Sequence, residues 1–239
     1  MRHEKRIVKI GNTFLGGNNP ILVQSMLNVK SNDVRGNVRQ AVALEKEGCQ
    51  ILRVSIPTLE DVRLIENIKN EIKIPLVADI HFDYRIALRA IDAGIDKVRI
   101  NPGNIGSDER VKQVVEACKV KNIPIRIGVN AGSLEKHILA KYGAPPPEAL
   151  CESAMYHIRL LEKFDFNDIV VSIKSSNVKT MIESYRMLDS MCDYPLHLGV
   201  TEAGTYRMGL IKSGMGIGNL LLDGIGDTLR VSLTDSPLK

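Results

Sequence analysis

Basic side chains recur at alternating positions within short, β-branched segments of this sequence. They are Arg53, Arg99, Arg126, Lys174 and Arg230. In residues 98–101, Val-Arg-Ile-Asn, Arg99 and Asn101 share one face of a predicted strand, because successive side chains point to opposite faces. Like charges about 4 Å apart repel by about 4 kcal/mol at an effective dielectric of about 20. If the strands bring these basic groups together, the cluster therefore needs an anion, and the forked N–H groups of arginine suit a diphosphate. Structural ion pairs between strands are the alternative for any single arginine.

Acids, an imidazole and small polar groups occur in the same segments. Asp79 and His81 share a face in Ala78–His81, Asn130 follows Arg126 at the end of its run, Ser172 shares a face with Lys174, and Ser232 does so with Arg230. His81 could donate a proton or bind phosphate, although a lone histidine is more often structural. Glu202 follows a predicted strand and could act as an acid or base, or equally as an acid at a helix N-terminus.

Two glycine-rich segments are weaker candidates for phosphate binding. Residues 223–228 lead into the last predicted strand, and such loops often bind phosphate in barrels. Asp227 in this segment is a third candidate acid beside Asp79 and Glu202, which still leaves an excess of positive charge at the site. Gly214 to Gly218 has the spacing G-x-G-x-G, but no strand directly precedes it, so it is a poor dinucleotide-binding motif.

The elements that must position these residues are strands and helices in regular alternation. The predicted strands are residues 21–26, 51–55, 75–82, 97–101, 124–130, 168–175, 195–201 and 228–233. Strand and helix alternating eight times predict an α/β fold, a TIM (β/α)8 barrel, whose active site lies at the carboxyl ends of the strands. Gly11-Asn12 between apolar runs predicts an N-terminal β-hairpin, which we expect to close the barrel floor. A doubly wound open sheet is the rival fold.

The composition excludes several other classes of protein. The net charge of +4 is slight and the chain has no Trp, so we expect no nucleic-acid partner. The sequence contains no run of about 18 apolar residues, so we expect no membrane span. No apolar signal segment follows the basic N-terminus, so the expected location is cytoplasmic. The cysteines form no Cys-x-x-Cys pair, which predicts no metal site within this chain. They are Cys49, Cys118, Cys151 and Cys192.

Several longer strings resemble the family of 4-hydroxy-3-methylbut-2-enyl diphosphate synthases. These strings lie at residues 20–26, 52–55, 78–82, 98–104, 126–130, 172–176, 197–204 and 223–233. Examples are Arg126-Ile-Gly-Val-Asn130 and the run Leu-Gly-Val-Thr-Glu-Ala-Gly that contains Glu202. The resemblance extends in order over nearly the whole chain.

The resemblance implies a barrel that binds 2-C-methyl-D-erythritol 2,4-cyclodiphosphate, which the family opens reductively in isoprenoid biosynthesis. It implies that the diphosphate is held by Arg53, Arg99, Arg126, Lys174 and Ser232. It also implies that Asp79, His81 and Asn130 order the pocket, and that Glu202 donates the proton with which the substrate hydroxyl leaves. The family uses a [4Fe–4S] cluster that receives electrons from ferredoxin or flavodoxin, and it forms homodimers in which the cluster domain of one subunit covers the other barrel.

The cluster ligands are the one departure from the family pattern. In the family they are three cysteines and a glutamate on a C-terminal domain, and none of the cysteines in this sequence matches them. We therefore expect residues 1–239 to be the substrate-binding barrel alone, which binds the cyclodiphosphate weakly without turnover. A pterin-binding barrel like dihydropteroate synthase and a non-catalytic anion-binding barrel are the alternatives.

Overall fold

A parallel barrel surrounded by helices is formed within residues 2–238, the part of the chain that the computed structural model describes. The strands are β1 Val8–Ile10, β2 Thr13–Leu15, β3 Leu22–Met26, β4 Ile51–Ser55, β5 Leu76–Asp79, β6 Lys97–Ile100, β7 Ile125–Asn130, β8 Ile169–Lys174, β9 His197–Leu198 and β10 Thr228–Leu229. The α-helices are α1 Val34–Lys46, α2 Arg63–Lys69, α3 Tyr84–Asp92, α4 Pro102–Ile105, α5 Asp108–Lys121, α6 Lys136–Tyr142, α7 Pro147–Lys163, α8 Val178–Met191 and α9 Tyr206–Leu222. None of these helices is long and apolar enough to cross a membrane.

The strands from β3 to β10 form one eight-stranded sheet in the order β8-β7-β6-β5-β4-β3-β10-β9. Every neighbouring pair in it is parallel. A further parallel bridge joins Val171 of β8 to Leu196, directly before β9, and so connects the two edges of the sheet. The predicted (β/α)8 barrel is confirmed, and the rival open sheet is wrong.

Three strands are shorter than the sequence predicts by more than two residues. β5 ends at Asp79 rather than at residue 82, and β9 and β10 have two residues each. A backbone hydrogen bond from Arg230 N to Leu198 O continues the pairing just beyond β10. At their carboxyl ends these segments leave the sheet and form loops around the barrel mouth. His81 and Ser232 therefore lie on loops, although the alternation of their side chains had placed them on strands.

The N-terminal hairpin covers the opposite end of the barrel. β1 and β2 pair in antiparallel fashion and turn at Gly11, whose φ of +53° lies in the left-handed region that glycine tolerates. Val8, Ile10 and Leu15 of the hairpin pack in one buried cluster with barrel side chains. Those are Leu22, Ile51, Val77 and Val170, at the amino-terminal ends of their strands. The hairpin closes the floor as predicted, and each fully buried apolar side chain contributes about 1.5–3 kcal/mol to folding.

The two faces of β6 show how the barrel separates its core from its site. Val98 and Ile100 are fully buried in the apolar core that the strands share with the surrounding helices. Because side chains alternate along a strand, Lys97 and Arg99 face the barrel axis instead. On β6, the apolar face thus packs toward the helices and the basic face lies in the barrel interior.

Candidate anion-binding site

The carboxyl ends of the barrel strands surround a cavity of about 290 Å³. Every barrel strand, or the loop directly after it, contributes at least one lining side chain. The lining residues are Met26, Arg53, Asp79, His81, Arg99, Arg126, Asn130, Ser172, Lys174, Thr201, Arg230 and Ser232. The predicted basic residues are all among them, as are Asp79, His81, Asn130, Ser172 and Ser232, whereas Glu202, Asp227 and Asn101 are not.

Asp79, the last residue of β5, is the centre of an ion-pair network in this cavity. Its carboxylate accepts one hydrogen bond from Arg53 Nη2 and another, of 3.1 Å, from Arg99 Nη1. His81 Nε2 lies 3.4 Å from Asp79 Oδ2. Burial by itself raises the pKa of the carboxyl, but the charges of Arg53, Arg99 and His81 together hold the pKa of Asp79 well below its usual range. Asp79 is therefore ionised, and it positions both arginines.

Arg126, on β7, has no such partner. Its side chain is fully buried and lines the cavity, yet none of its three guanidinium nitrogens hydrogen-bonds to a described residue. Burial lowers the pKa of Arg126, and the nearby charges of Arg53 and Arg99 lower it further. A guanidinium nevertheless stays protonated in proteins. An unpaired buried polar group costs about 1–3 kcal/mol, and a charged group costs more. Arg126 is thus a buried cation that an anion in the cavity would satisfy.

Arg230 and Lys174 complete the basic lining. Arg230 Nη2 donates a 2.7 Å hydrogen bond to Ser232 Oγ, and its Nη1 lies 2.9 Å from Met26 Sδ. Burial is the main cause that lowers the pKa of Arg230 to about 10. Lys174 is also buried, and burial followed by the charge of Arg230 lowers its pKa well below the usual value. Both groups line the same cavity, so a bound anion would favour their charged forms.

Two glycines allow the backbone to approach the basic groups closely. A Cβ atom on Gly128 would lie 2.4 Å from Arg99 Nε, so any larger residue there would displace the Arg99 side chain. A Cβ atom on Gly199 would lie 2.8 Å from the carbonyl oxygen of Arg230 and 3.5 Å from Lys174 Nζ. The positions of the basic groups thus depend on the absence of side chains at these two residues.

The charge of the cavity is strongly unbalanced. Its lining holds five basic side chains, Arg53, Arg99, Arg126, Lys174 and Arg230, and Asp79 is the one carboxylate among the described lining residues. A larger cleft of about 720 Å³ lies on the outer surface between α8 and α9, but there Glu183 accompanies the lysines and arginine. The cavity in the barrel mouth is therefore the stronger site for a multiply charged anion.

Glu202 does not join the cavity lining. It is exposed on the loop after β9, with a φ of +48°, while its neighbour Thr201 lines the cavity. Glu202 therefore lies at the rim. The alternative interpretation, an acid at a helix N-terminus, is wrong, because α9 begins at Tyr206 and has no acid in its first turn.

Asp227 and the glycine-rich segment around it lie at the wrong end of the barrel for the predicted phosphate loop. Asp227 Oδ1 accepts a 2.8 Å hydrogen bond from Arg2, and Oδ2 accepts one of 2.8 Å from Leu196 N. These residues precede β10, so they belong to the floor rather than to the mouth. The predicted acid and phosphate loop at this segment are therefore wrong. Gly214 to Gly218 lies within α9 and forms no loop.

Other interior residues differ from their predicted roles or were not singled out. Asn101 does not line the cavity; its side chain accepts a hydrogen bond from Gly103 N and caps α4. Met26, which was not predicted as a site residue, also lines the cavity. Lys97 and His197 are completely buried on strands that contribute to the barrel, although neither was predicted as a site residue. The alternation that places Arg99 inward also applies to Lys97, so this signal was present in the sequence.

The cysteines do not fit an iron–sulfur cluster. Cys49, Cys118 and Cys151 are buried free thiols, and Cys192 is half-buried. Burial raises the pKa of Cys118, and burial is the main cause that raises the pKa of Cys151 to about 12, whereas cluster ligands are thiolates. Within the described range, no group of three or more His, Cys, Asp or Glu side chains is placed to hold a metal ion. No chemical step through a cluster can be derived from these residues.

Comparison of the sequence with known families matches residues 5–239 to the GcpE TIM-barrel domain. The chain is 64% identical over 239 residues to the 4-hydroxy-3-methylbut-2-en-1-yl diphosphate synthase (flavodoxin) of Fusobacterium nucleatum, covering 100% of this chain and 68% of that protein. It is 60% identical over 238 residues to the protein of the same name from Caldanaerobacter subterraneus, covering 100% of this chain and 67% of that protein. The chain thus spans about two thirds of the length of these relatives.

Among solved structures, the fold is similar to dihydropteroate synthase from Stenotrophomonas maltophilia. The TM-score is 0.68 at 14% sequence identity, with 97% of this chain and 93% of the other covered. The enzyme of the same name from Xanthomonas albilineans gives a TM-score of 0.67, also at 14% identity, with 98% of this chain and 94% of the other covered. At this identity the likeness shows a common barrel architecture and nothing about the ligand.

Proposed function

Because the chain belongs to the GcpE TIM-barrel domain family, the family of 4-hydroxy-3-methylbut-2-en-1-yl diphosphate synthases, we propose that its barrel binds 2-C-methyl-D-erythritol 2,4-cyclodiphosphate for reductive ring opening. In that reaction the substrate takes up an electron pair and a proton, a ring C–O bond to phosphate and the C–O bond of the neighbouring hydroxyl break, a C=C bond forms between the two carbons, and the hydroxyl leaves as water. The product is 4-hydroxy-3-methylbut-2-enyl diphosphate, a precursor of isoprenoids. The observation that carries this proposal is the unpaired, fully buried Arg126 in a cavity rich in basic groups.

The diphosphate is held by the basic side chains of the cavity. Arg126 supplies several unpaired N–H groups, and Lys174 supplies an ammonium group from the neighbouring strand. Asp79 holds Arg53 and Arg99 in place, so these side chains lose little conformational entropy when the ligand binds. Ser232 and Arg230, already hydrogen-bonded to each other, bind from the segment that follows β10.

The remaining polar residues orient the substrate and its protons. Asp79 fixes the arginines, while His81, with its side chain 43% exposed, and Asn130 contact the organic part of the substrate from the cavity wall. Glu202 holds the proton that the departing hydroxyl requires. Because Glu202 lies at the rim, this role requires its loop to turn the carboxyl toward the cavity when substrate is bound.

The electron donor of this reaction is flavodoxin, the donor in the names of the relatives, rather than ferredoxin. The [4Fe–4S] cluster that the family implies would supply these electrons, and the described cysteines do not fit as its ligands. Residues 2–238 thus bind and orient the substrate. The free cysteines also suit the reducing environment of the cytoplasm, where we place the protein.

The active assembly is a homodimer. The outer helix α9 is apolar on several sides and exposes Met208, Ile211, Met215 and Leu222 to solvent. Exposed apolar side chains concentrated on one helix are typical of a surface that another protein covers. A second copy of the chain is the proposed partner.

Calorimetric titration of the chain with the cyclodiphosphate tests the proposed substrate. We expect saturable binding at one site per chain, weakened by high salt because the contacts are ionic. A dihydropterin diphosphate and a linear organic diphosphate without the erythritol ring serve as comparison ligands. Tighter binding of the pterin would favour a pterin-binding barrel. Equal binding of the linear compound would favour a non-catalytic anion-binding barrel, and either result would refute the proposal.

A further inference from the structure

A layer of polar side chains lies inside the barrel between the cavity and the floor. It consists of Gln24, Lys97, His197 and Thr228, which we call the lower layer, and each is at most 2% exposed. None of their buried polar side-chain atoms hydrogen-bonds to a described residue: Lys97 Nζ, both ring nitrogens of His197, both amide atoms of Gln24 and the Thr228 hydroxyl. Buried polar groups are normally paired, so this layer requires an explanation.

The position of Lys97 in the barrel follows from the register of β6. Lys97 lies two residues before Arg99, which places it about 6–7 Å closer to the floor on the same inward face. Arg99 is the register partner of Arg126 on β7, and Val77, on the adjacent strand β5, is the partner of Lys97. Val77 belongs to the apolar floor cluster, so Lys97 lies at the boundary between that cluster and the cavity. Lys97 is therefore directly under the basic groups of the cavity.

The charges that face Lys97 are of its own sign. Arg126 from β7 and Arg53 from β4 act on it, and His197 from β9 lies within electrostatic range. The carboxylate on β5, Asp79, is already shared by Arg53 and Arg99, and Asp96, next to Lys97 in sequence, pairs with Lys69. Burial first, then Arg126 and Arg53, lower the pKa of Lys97 well below its usual value. Without an anion in the mouth, these surroundings therefore disfavour the charged form of Lys97.

We infer that Lys97 is a positioning residue of the diphosphate site, which takes up a proton from solvent when the anion binds above it. The inference rests on the proposed function, because it needs a diphosphate in the cavity. The arginines keep their charge at all relevant pH values, so only lysine and histidine can adjust the interior charge to the ligand. The proton adds to the lone pair of Lys97 Nζ, and no other bond forms or breaks. Lys174 does the same in direct contact with the ligand, whereas Lys97 acts from beneath.

This arrangement solves a problem of charge matching. A barrel interior with every lysine protonated would repel itself strongly in the free protein, and one with neutral lysines would bind a dianion less tightly. Proton uptake at Lys97 lets the same side chains suit both states. Linkage then requires the affinity for the anion to fall with rising pH, by about tenfold per pH unit for each proton taken up.

The test compares proton uptake by the wild-type chain, by K97M and by K179M. Met removes the amine but keeps an unbranched apolar chain, and Lys179 is an exposed lysine on α8 that serves as the matched control. The ligand is the cyclodiphosphate, because each of its phosphorus atoms carries one strongly acidic group and none titrates near neutral pH. Calorimetry in buffers of different ionisation enthalpy then counts protons bound by the protein alone.

We expect the wild type and K179M to take up about one proton more than K97M between pH 7 and 8. Their affinity should accordingly fall about tenfold more per pH unit than that of K97M. Equal proton uptake by wild type and K97M would overturn the inference and leave the proposed function intact. Absence of cyclodiphosphate binding in all three chains would instead refute the proposed function, and the inference with it.

A second measurement does not depend on a variant. In the wild-type chain with 15N-labelled lysine, the Lys97 side-chain resonance should shift from that of an amine to that of an ammonium on addition of ligand at pH 7. If the Lys97 resonance were already that of an ammonium in the free protein, the inference would be contradicted, even if K97M failed to fold.

Discussion

Replacing Arg126 with methionine separates ligand binding from stability. The guanidinium of Arg126 is fully buried, faces Arg53 and Arg99, and has no hydrogen-bond partner among the described residues. In the free protein the unpaired guanidinium therefore lowers the free energy of unfolding. The penalty for an unpaired buried polar group is about 1–3 kcal/mol, and repulsion between like charges adds to it. R126M removes this cost and keeps an unbranched apolar chain in the barrel. We expect the free energy of unfolding of the ligand-free chain to rise by about 1–3 kcal/mol.

The same substitution should weaken binding of the cyclodiphosphate severely. Loss of one partner from a buried, hydrogen-bonded charge pair costs about 2–5 kcal/mol. At about 1.4 kcal/mol per factor of ten, this is a loss in affinity of about 30-fold to a few thousand-fold. The affinity is measured by calorimetry at constant salt. Stability is measured by urea unfolding and by Tm, which should rise by about 2–4 °C for each kcal/mol gained by a chain of this size.

The matched control is R39M, which removes an exposed arginine from the outer face of α1. It should change neither affinity nor stability by more than about 0.5 kcal/mol. If R126M were less stable than wild type without ligand, Arg126 would have to have a partner in the folded state. A variant that bound the cyclodiphosphate as tightly as wild type would refute the assignment of Arg126 to the site.

Three further outcomes are expected. D79N leaves the buried Arg53 and Arg99 without their carboxylate, so urea unfolding should show a loss of about 3–5 kcal/mol, whereas an unchanged midpoint would contradict the ion-pair network. G128A places a methyl group against Arg99, so calorimetry should show at least about tenfold weaker cyclodiphosphate binding, with far-UV circular dichroism unchanged; full affinity would mean that Arg99 is dispensable. Desolvation by burial opposes ionisation of Glu135, but the hydrogen bond with His157 lowers its pKa to about 2. The ionised Glu135 therefore stabilises the fold fully above about pH 4, and this stabilisation is lost as pH falls toward 2. The stability difference between wild type and E135Q in urea should therefore shrink from pH 5 to pH 3, and a difference that grew would refute the pair.

Much of the site follows from local patterns in the sequence. The alternation of Arg99 with Val98 and Ile100 requires the basic group and the apolar groups to face opposite ways on any strand. Strands that alternate with helices must be parallel, so their carboxyl ends meet at one rim. These two facts suffice to bring Arg53, Arg126 and the other basic residues together, as the structure shows. The sequence motifs were also long enough to indicate the family.

The positions of individual groups within the mouth depended on the tertiary structure. Arg53 and Arg99 pair with Asp79, whereas Arg126 has no partner among the described residues. This difference depends on distances across the barrel, which cannot be deduced from the sequence. Asp227 illustrates the same limit, because a residue just before a strand and one just after it look alike in composition but lie at opposite ends of the barrel. Lys97 is the clearest case: its inward face could be deduced from alternation, but its complete burial among like charges follows only from the closed barrel. Local chemistry thus determined which side chains turn inward, and closure of the barrel determined which of them remain charged and unpaired.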